Sequence, residues 1–303
     1  MIPGFSVDRQ GDRRETGREV ERMITRRVVM IGAAALAAPL VRAQSPDPFR
    51  FGLTPVFLDN DTAVISALRT ALTQEMSRPV ELVQRRTYQE ITASILDGSV
   101  DAAWICGYPY LQHRDRLSLL GVPVWRGQPR YQSYLIVRDD DPAGELSDLR
   151  SGTHAFSDPD SNSGYLVTAS DLARQGETPE SFFSRTVFTY GHRNVVRAVA
   201  GGLVRSGSVD GYVWEALASV EPTLTAGTRI VTRSEWLGFP PFASRADRAS
   251  DEDVQSFSRA LLHLADSLPG QEVLRLLFLD GVQAGDVSLF DGIAVRMAEL
   301  SGR

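Results

Sequence analysis

From residue 49 onward, short apolar runs of strand length alternate with segments of helical period. That alternation points to layered α/β sheets with mainly parallel strands. Phe49–Leu53 reads as the first strand, and Val64, Ile65, Leu68 and Leu72 then share one helical face. Thr87 and Glu90 form a capping box before a helix that reaches Leu96, with Asp97-Gly98 as its stop. Residues 102–105 make the next buried strand. Towards the C-terminus Val254, Phe257, Leu261, Leu264 and Leu268 mark a helix face capped by Ser250.

An internal echo suggests two lobes. Gly98-Ser99-Val100-Asp101-Ala102-Ala103-Trp104 resembles Gly207-Ser208-Val209-Asp210-Gly211-Tyr212-Val213-Trp214, each read as a turn at glycine entering a strand. In open α/β sheets, ligands bind beyond the carboxyl ends of the strands. Here those ends read as Leu53-Thr54-Pro55, Ile105-Cys106-Gly107, Phe156-Ser157-Asp158 and Val213-Trp214-Glu215.

The N-terminus carries a targeting pattern. Arg26-Arg27 precede an apolar run from Val28 to Ala38, and Val41-Arg42-Ala43 places small residues where a signal peptidase cuts. The run falls short of the about 20 apolar residues that span a bilayer. Thr25-Arg26-Arg27 fits a twin-arginine signal as well as an ordinary secretory one, and either Met1 or Met23 can be the start. Cleavage after residue 43 leaves a periplasmic protein of 24 basic and 33 acidic residues, with net charge −9 and no lipid-modified cysteine behind the signal. That balance argues against nucleic acid and against an anionic membrane as partners, and no membrane insertion is expected after cleavage. All 32 basic residues are arginine, which excludes a P-loop lysine, a Schiff-base lysine and a Ser–Lys dyad. The single cysteine, Cys106, rules out an intrachain disulfide.

The most specific stretch is Phe156-Ser157-Asp158-Pro159-Asp160-Ser161-Asn162-Ser163-Gly164-Tyr165. A strand ends, a turn of small polar residues follows, and a helix is expected from about Tyr165 to Arg174. Free backbone N–H groups, the positive end of the helix dipole and the hydroxyls of Ser161 and Ser163 suit an oxyanion without any cationic side chain. The plain alternative is a well-capped helix that binds nothing.

Ser157-Asp158-Pro159-x-Ser161-x-Ser163-Gly164-Tyr165 resembles the phosphate/phosphite/phosphonate solute-binding proteins, the PhnD-like family of ABC transport systems. Tyr131-x-Ser133-Tyr134-Leu135-Ile136-Val137 is similar to that family's crossover strand, and Leu146-Ser147-Asp148-Leu149 to its next turn. Gly191-His192 with Val196-Arg197-Ala198-Val199 and Val209-Asp210 resembles its second-lobe unit, and Pro240-Pro241-Phe242 its return to the first lobe. The resemblance covers most of the chain after the signal. It implies an α/β, two-lobed periplasmic-binding-protein fold of type II-like form, with two hinge crossings and a ligand cleft between the lobes. Lobe 1 is expected over residues 45–134 plus 234–303, and lobe 2 over 135–233.

Matching positions implicate Ser161, Ser163, Gly164, Tyr88, Tyr110, Tyr131 and His192 in ligand binding. Thr54 and Glu215 join them from their expected strand ends, Glu215 as a partner for an amine or hydroxyl on the ligand. Tyr88 at a helix start, Tyr131 or Tyr134 in a strand, and His192 before a helix also have ordinary structural readings. His113, His154 and His263 show no partner pattern and read as structural.

The resemblance implies a non-enzymatic protein without cofactor or resident metal, which hands a small oxyanion to an ABC permease. Some relatives sense arsenite with a two-component histidine kinase. Cys106, beside the expected cleft, could supply one thiolate to trivalent arsenic, although a lone buried cysteine is more often a small hydrophobe. A third class, an enzyme with Cys106 as nucleophile and His192 as base, lacks any supporting catalytic motif.

Overall fold

The computed structural model describes residues 47–55 and 62–302. The targeting segment at 1–43, its twin-arginine context and the choice of start methionine lie outside the described residues.

The first elements are β1 (Phe49–Leu53), α1 (Thr62–Met76), β2 (Val80–Gln84), α2 (Tyr88–Leu96), β3 (Ala102–Trp104), α3 (Gly107–Gln112) and β4 (Leu117–Val124). The chain then runs through β5 (Arg130–Tyr131), β6 (Ser133–Arg138), β7 (Thr153–Phe156), α4 (Val167–Arg174), α5 (Pro179–Phe182), β8 (Arg185–Phe188) and α6 (His192–Ala200). Next come β9 (Ser206–Asp210), α7 (Gly211–Val220), α8 (Pro222–Ala226) and β10 (Thr228–Arg233). It returns through β11 (Leu237–Gly238), β12 (Phe242–Arg245), α9 (Glu252–Leu262), α10 (Leu268–Leu276), β13 (Gly281–Gln283) and α11 (Asp291–Ser301).

Two sheets result. The first has the order β13-β4-β12-β3-β1-β2 and the second β10-β6-β9-β7-β8. Strands β1, β2 and β3 pair in parallel, as do β7, β8 and β9. The remaining pairs are antiparallel, so the expectation of mainly parallel pairing is corrected. The physical reason is the crossing chain: β6 and β12 each follow a passage from the other sheet and insert antiparallel to the βαβ strands they join. Between the sheets, β5 and β11 form a two-stranded antiparallel ribbon that pairs Tyr131 with Leu237. Ser234 N–H donates to Ser133 O (2.9 Å) and Phe239 N–H to Pro129 O (3.0 Å), so the two crossings are bound side by side.

Apolar rings fill the first sheet's layer. Phe49 stacks on Phe257 of α9 at 4.7 Å, and Phe51 lies 4.9 Å from Phe257 and 6.0 Å from Phe242 of β12. Each such buried ring contributes about 1.5–3 kcal/mol. Thr87 accepts from Glu90 N–H as anticipated, but Glu90 reaches back to Arg86 N–H, one residue short of the full capping box. Gly98, at φ +81°, turns the chain from α2 towards β3 in a conformation that disfavours side chains.

Other local expectations are corrected. Strand β3 ends at Trp104, not at 105. Asp251, not Ser250, occupies the N-cap of α9, and its carboxylate accepts from Arg248 (2.9 Å) instead of capping the helix. The helix face does not reach Leu268, which is 81% exposed. Ser267 caps a new helix there, and Pro269, without an N–H, cannot continue the earlier one. The second half of the internal echo also changes role. Gly207 lies inside β9, and the strand ends at Asp210, whose carboxylate accepts from Tyr212 and Val213 N–H to start α7. Val213-Trp214-Glu215 is therefore helical, not a strand end.

The C-terminal helix α11 ties to both sides of the molecule. Arg296, almost fully buried, pairs with Asp171 of α4 and with Glu235 of the return crossing (2.6 Å), while Glu299 accepts from Arg174 (2.8 Å).

Candidate binding site between the two sheets

The serine-rich segment forms a tight structure at the carboxyl end of β7. Ser161 N–H donates to Asp158 O (3.0 Å), and Ser161 Oγ accepts from Gly164 N–H (3.0 Å). A π turn over Asn162–Leu166 then feeds α4, so helical structure begins earlier than the expected Tyr165. Ser157 N–H closes the turn onto Gly164 O (3.2 Å). A Cβ on Gly164 would stand 1.8 Å from Ser157 Oγ, so only glycine fits against that hydroxyl.

Bond accounting in this turn isolates its unclaimed groups. Ser157, Ser161, Asn162 and Ser163 are buried, yet Ser157 Oγ and Asn162 Oδ1 have no hydrogen-bond partner. The Ser163 N–H also takes no partner among the described residues. Ser163 O is satisfied by Ser133 Oγ (2.6 Å). The Asn162 amide donates to Tyr131 Oη (2.9 Å); whichever way that amide is turned, one of its polar atoms is left over.

Opposite the turn stands Tyr88, the first residue of α2. Its backbone N–H donates to Asp158 Oδ2 (3.1 Å) and its hydroxyl meets His192 Nε2 (3.1 Å), so one residue bonds twice across the cleft. His192 Nδ1 accepts from Asp210 N–H (3.1 Å). Burial pushes the His192 pKa down to about 3, so the ring is neutral and carries its hydrogen on Nε2. It follows that Nε2–H donates to the Tyr88 oxygen and leaves the phenol proton free to donate elsewhere. Burial, with Cys106 and nearby carboxylates, raises Tyr88 well above the ordinary phenol value and keeps that proton in place.

Cys106 closes the remaining side. It stands at the start of α3, 3% exposed, and its Sγ accepts from Asn162 N–H (3.3 Å). Burial pushes the thiol up to about 12. Two carboxylates complete the surroundings. Burial raises Asp158, and it pushes Asp210 up to about 7, although Asp210 Oδ1 accepts from Tyr212 and Val213 N–H. None of these groups is a cation. An anion here would be held by neutral donors and backbone dipoles, which suits a ligand that arrives with a proton or a single charge.

The structure brings together Tyr88, Cys106, Tyr131, Ser161, Ser163, Gly164 and His192. Thr54 lies at the end of β1, where its hydroxyl donates to Trp104 O, next to the Cys106 strand end. Tyr110 and Glu215 do not join the group. Tyr110 packs into the core 5.2 Å from the Phe290 ring, because the short helix α3 turns that face inward. Glu215, on α7, accepts from Arg126 (3.0 Å) and from Tyr134 Oη (3.0 Å). Tyr131 and Tyr134 are both buried and have different partners: Tyr131 Oη accepts from the Asn162 amide and Tyr134 Oη donates to Glu215.

The residues missed in the sequence are Ser157, Asn162 and Asp210 as site groups, with Tyr108 near Asp160 on the half-buried flank. Asn162 was the unassigned position between two serines, and Asp210 stood only in the echo; a polar residue inside a motif was the available signal. His154 lies elsewhere, between Ser206 Oγ (2.8 Å) and Ser208 Oγ (2.9 Å) and stacked on Phe183, a structural role. The catalytic pairing of Cys106 with His192 does not form: both imidazole nitrogens are engaged by Asp210 and Tyr88.

Comparison with known proteins places this geometry. Residues 51–290 match the family described as ABC transporter, phosphonate, periplasmic substrate-binding protein. A phosphate-import protein PhnD of Mycolicibacterium smegmatis is 29% identical over 143 residues, 43% of this chain and 44% of that protein, so the match spans less than half of either. A binding-protein component of an ABC phosphonate transporter from Pseudomonas aeruginosa superposes with a TM-score of 0.76 at 23% identity, covering 82% of this chain and 85% of that one. PhnD1 from Prochlorococcus marinus, in complex with methylphosphonate, gives 0.73 at 14% identity over 85% of this chain and 100% of its own. These two superpositions establish the two-lobed fold. With the family match extending over most of its length, the chain belongs to the periplasmic substrate-binding proteins of phosphonate ABC transporters.

Proposed function

We propose that the chain captures a phosphorus oxyanion of the phosphonate type in the cleft between its lobes and presents it to a membrane permease. The observation that carries this reading is the set of unclaimed buried groups: Ser157 Oγ, the Ser163 N–H, an Asn162 amide atom and the Tyr88 phenol proton. Buried polar groups without partners are rare in folded proteins, and an oxyanion that keeps one proton satisfies the donors with its oxygens and Asn162 Oδ1 with that proton. The neutral surroundings and two carboxylates of raised pKa favour a ligand that keeps a proton. The M. smegmatis and P. marinus relatives, named for phosphate import and seen with methylphosphonate, support the same chemical class.

The lobes are assigned as residues 45–134 plus 234–303 and residues 135–233, with the β5–β11 ribbon as the hinge. Opening there separates Tyr88 from His192 and Asp158, and closure on the ligand restores both bonds. The family points to the periplasm, and no helix among the described residues is long and apolar enough to cross a membrane. Export through a signal cleaved after residue 43 completes the reading; mass spectrometry of periplasmic protein should find Gln44 first.

No observation favours the arsenite sensor. The single thiol is buried, protonated and already hydrogen-bonded, whereas a soft centre is bound by thiolate. Calorimetric titration of the mature protein with methylphosphonate, phosphite, phosphate and arsenite tests the assignment. Binding of at least one phosphorus oxyanion, and not arsenite, is the expected result; binding of arsenite alone would reverse it.

A further inference from the structure

The Asn162 N–H opens the turn that faces the cleft, and a free amide there would be the natural donor to an oxyanion. In this chain it is already taken: it donates to Cys106 Sγ across the cleft (3.3 Å), with both residues buried. The same asparagine leaves its Oδ1 unpaired, and Ser157 Oγ beside Gly164 is unpaired as well, so two buried polar atoms lack partners beside the amide that the sulfur takes. The thiol therefore replaces a possible ligand oxygen on that side. Burial keeps it protonated, and it offers a polarizable, weakly polar wall to anything in the cleft.

We propose that Cys106 sets the choice among oxyanions, its sulfur occupying the Asn162 N–H and leaving a wall whose S–H is only a weak donor, which admits a carbon or hydrogen substituent of phosphorus more readily than a fourth oxygen. This deepens the oxyanion reading above and rests on it. A phosphonate directs its three oxygens to the free donors and its carbon to the thiol. Phosphate must place an oxygen against sulfur, where it gains at most a weak S–H bond and loses its water. Cys106 makes no side-chain cap to α3, so its replacement leaves that helix start intact.

The test is the ratio of affinities for methylphosphonate and phosphate, measured by calorimetry in the wild type, Cys106→Ala and Cys106→Ser. A ratio is insensitive to a general loss of fit. Alanine frees the Asn162 N–H, and the ratio should move towards phosphate by about three- to tenfold, the weight of one neutral hydrogen bond. Serine keeps an acceptor for the Asn162 N–H but adds a stronger O–H donor than the thiol, so its ratio should also move towards phosphate. An unchanged ratio in the alanine variant, with the wild type binding normally, would overturn the proposal. A shift towards methylphosphonate in the serine variant would overturn it too, because a better donor at that position should favour the fourth oxygen. If the wild type and alanine variant bind neither ligand, the oxyanion reading itself fails and takes this proposal with it.

Discussion

Replacing Tyr88 by phenylalanine isolates the donor on which the cleft depends. The substitution keeps the ring, its burial and the backbone N–H that reaches Asp158 Oδ2 at 3.1 Å. It removes only the oxygen that accepts from His192 Nε2 and the proton directed onward. A hydrogen bond to a charged acceptor is worth about 1.5–3 kcal/mol, so the lost ligand bond should weaken oxyanion binding by about 10- to 150-fold. A second effect acts on the empty closed form: the His192 N–H is stranded in a buried site at a cost of about 1–3 kcal/mol. Calorimetry with methylphosphonate reads the first effect, and thermal unfolding of the empty protein the second. A double-mutant cycle with His192→Phe then separates roles. If His192 acts by holding the phenol oxygen, the double variant should lose clearly less than the sum of the singles. Undiminished affinity in Tyr88→Phe, or strict additivity in the cycle, would refute the assignment of the free proton to Tyr88.

Three further outcomes follow from the geometry. Ser161→Ala removes the acceptor for Gly164 N–H, so it should lower the stability of the empty protein by about 1 kcal/mol, read as a fall in melting temperature. Gly164→Ala forces a methyl to within 1.8 Å of Ser157 Oγ, and should cost about 1–3 kcal/mol of stability while displacing the turn and weakening ligand binding in the same titration. His154, fully buried with its pKa pushed down to about 3, binds its proton in the unfolded chain but not in the folded one between about pH 6.5 and 3. Its contribution is complete above that window and is lost as pH falls, at about 1.4 kcal/mol per pH unit. His192 follows the same sign, whereas Asp210, pushed up to about 7, has the opposite one. Denaturant titrations of wild type and His154→Gln across pH 7 to 4 cancel those two groups. The variant should show the shallower acid loss, and parallel curves would contradict the assignment.

Local regularities were legible in the residues because their physics is local. The alternation of strands and helices, the Thr87 cap, the Asp97-Gly98 stop and the serine turn each depend on groups within about five positions of one another. The family pattern carried the two-lobed fold further than periodicity could. The site itself was decided by contacts between distant segments: Cys106 meets Asn162 across 56 positions, and Tyr88 meets His192 across 104. No local rule says that α3 turns Tyr110 inward against Phe290 while Cys106 faces the turn. Nor does one say that the echo at Gly207 runs through a strand and delivers Asp210, rather than Glu215, to the cleft. Periods and caps determine what each segment becomes. Which of its faces meets the other lobe is settled by packing: the arrangement that buries the apolar residues of both sheets also pairs Asp158, His192 and Asn162 with Tyr88 and Cys106 from the opposite side.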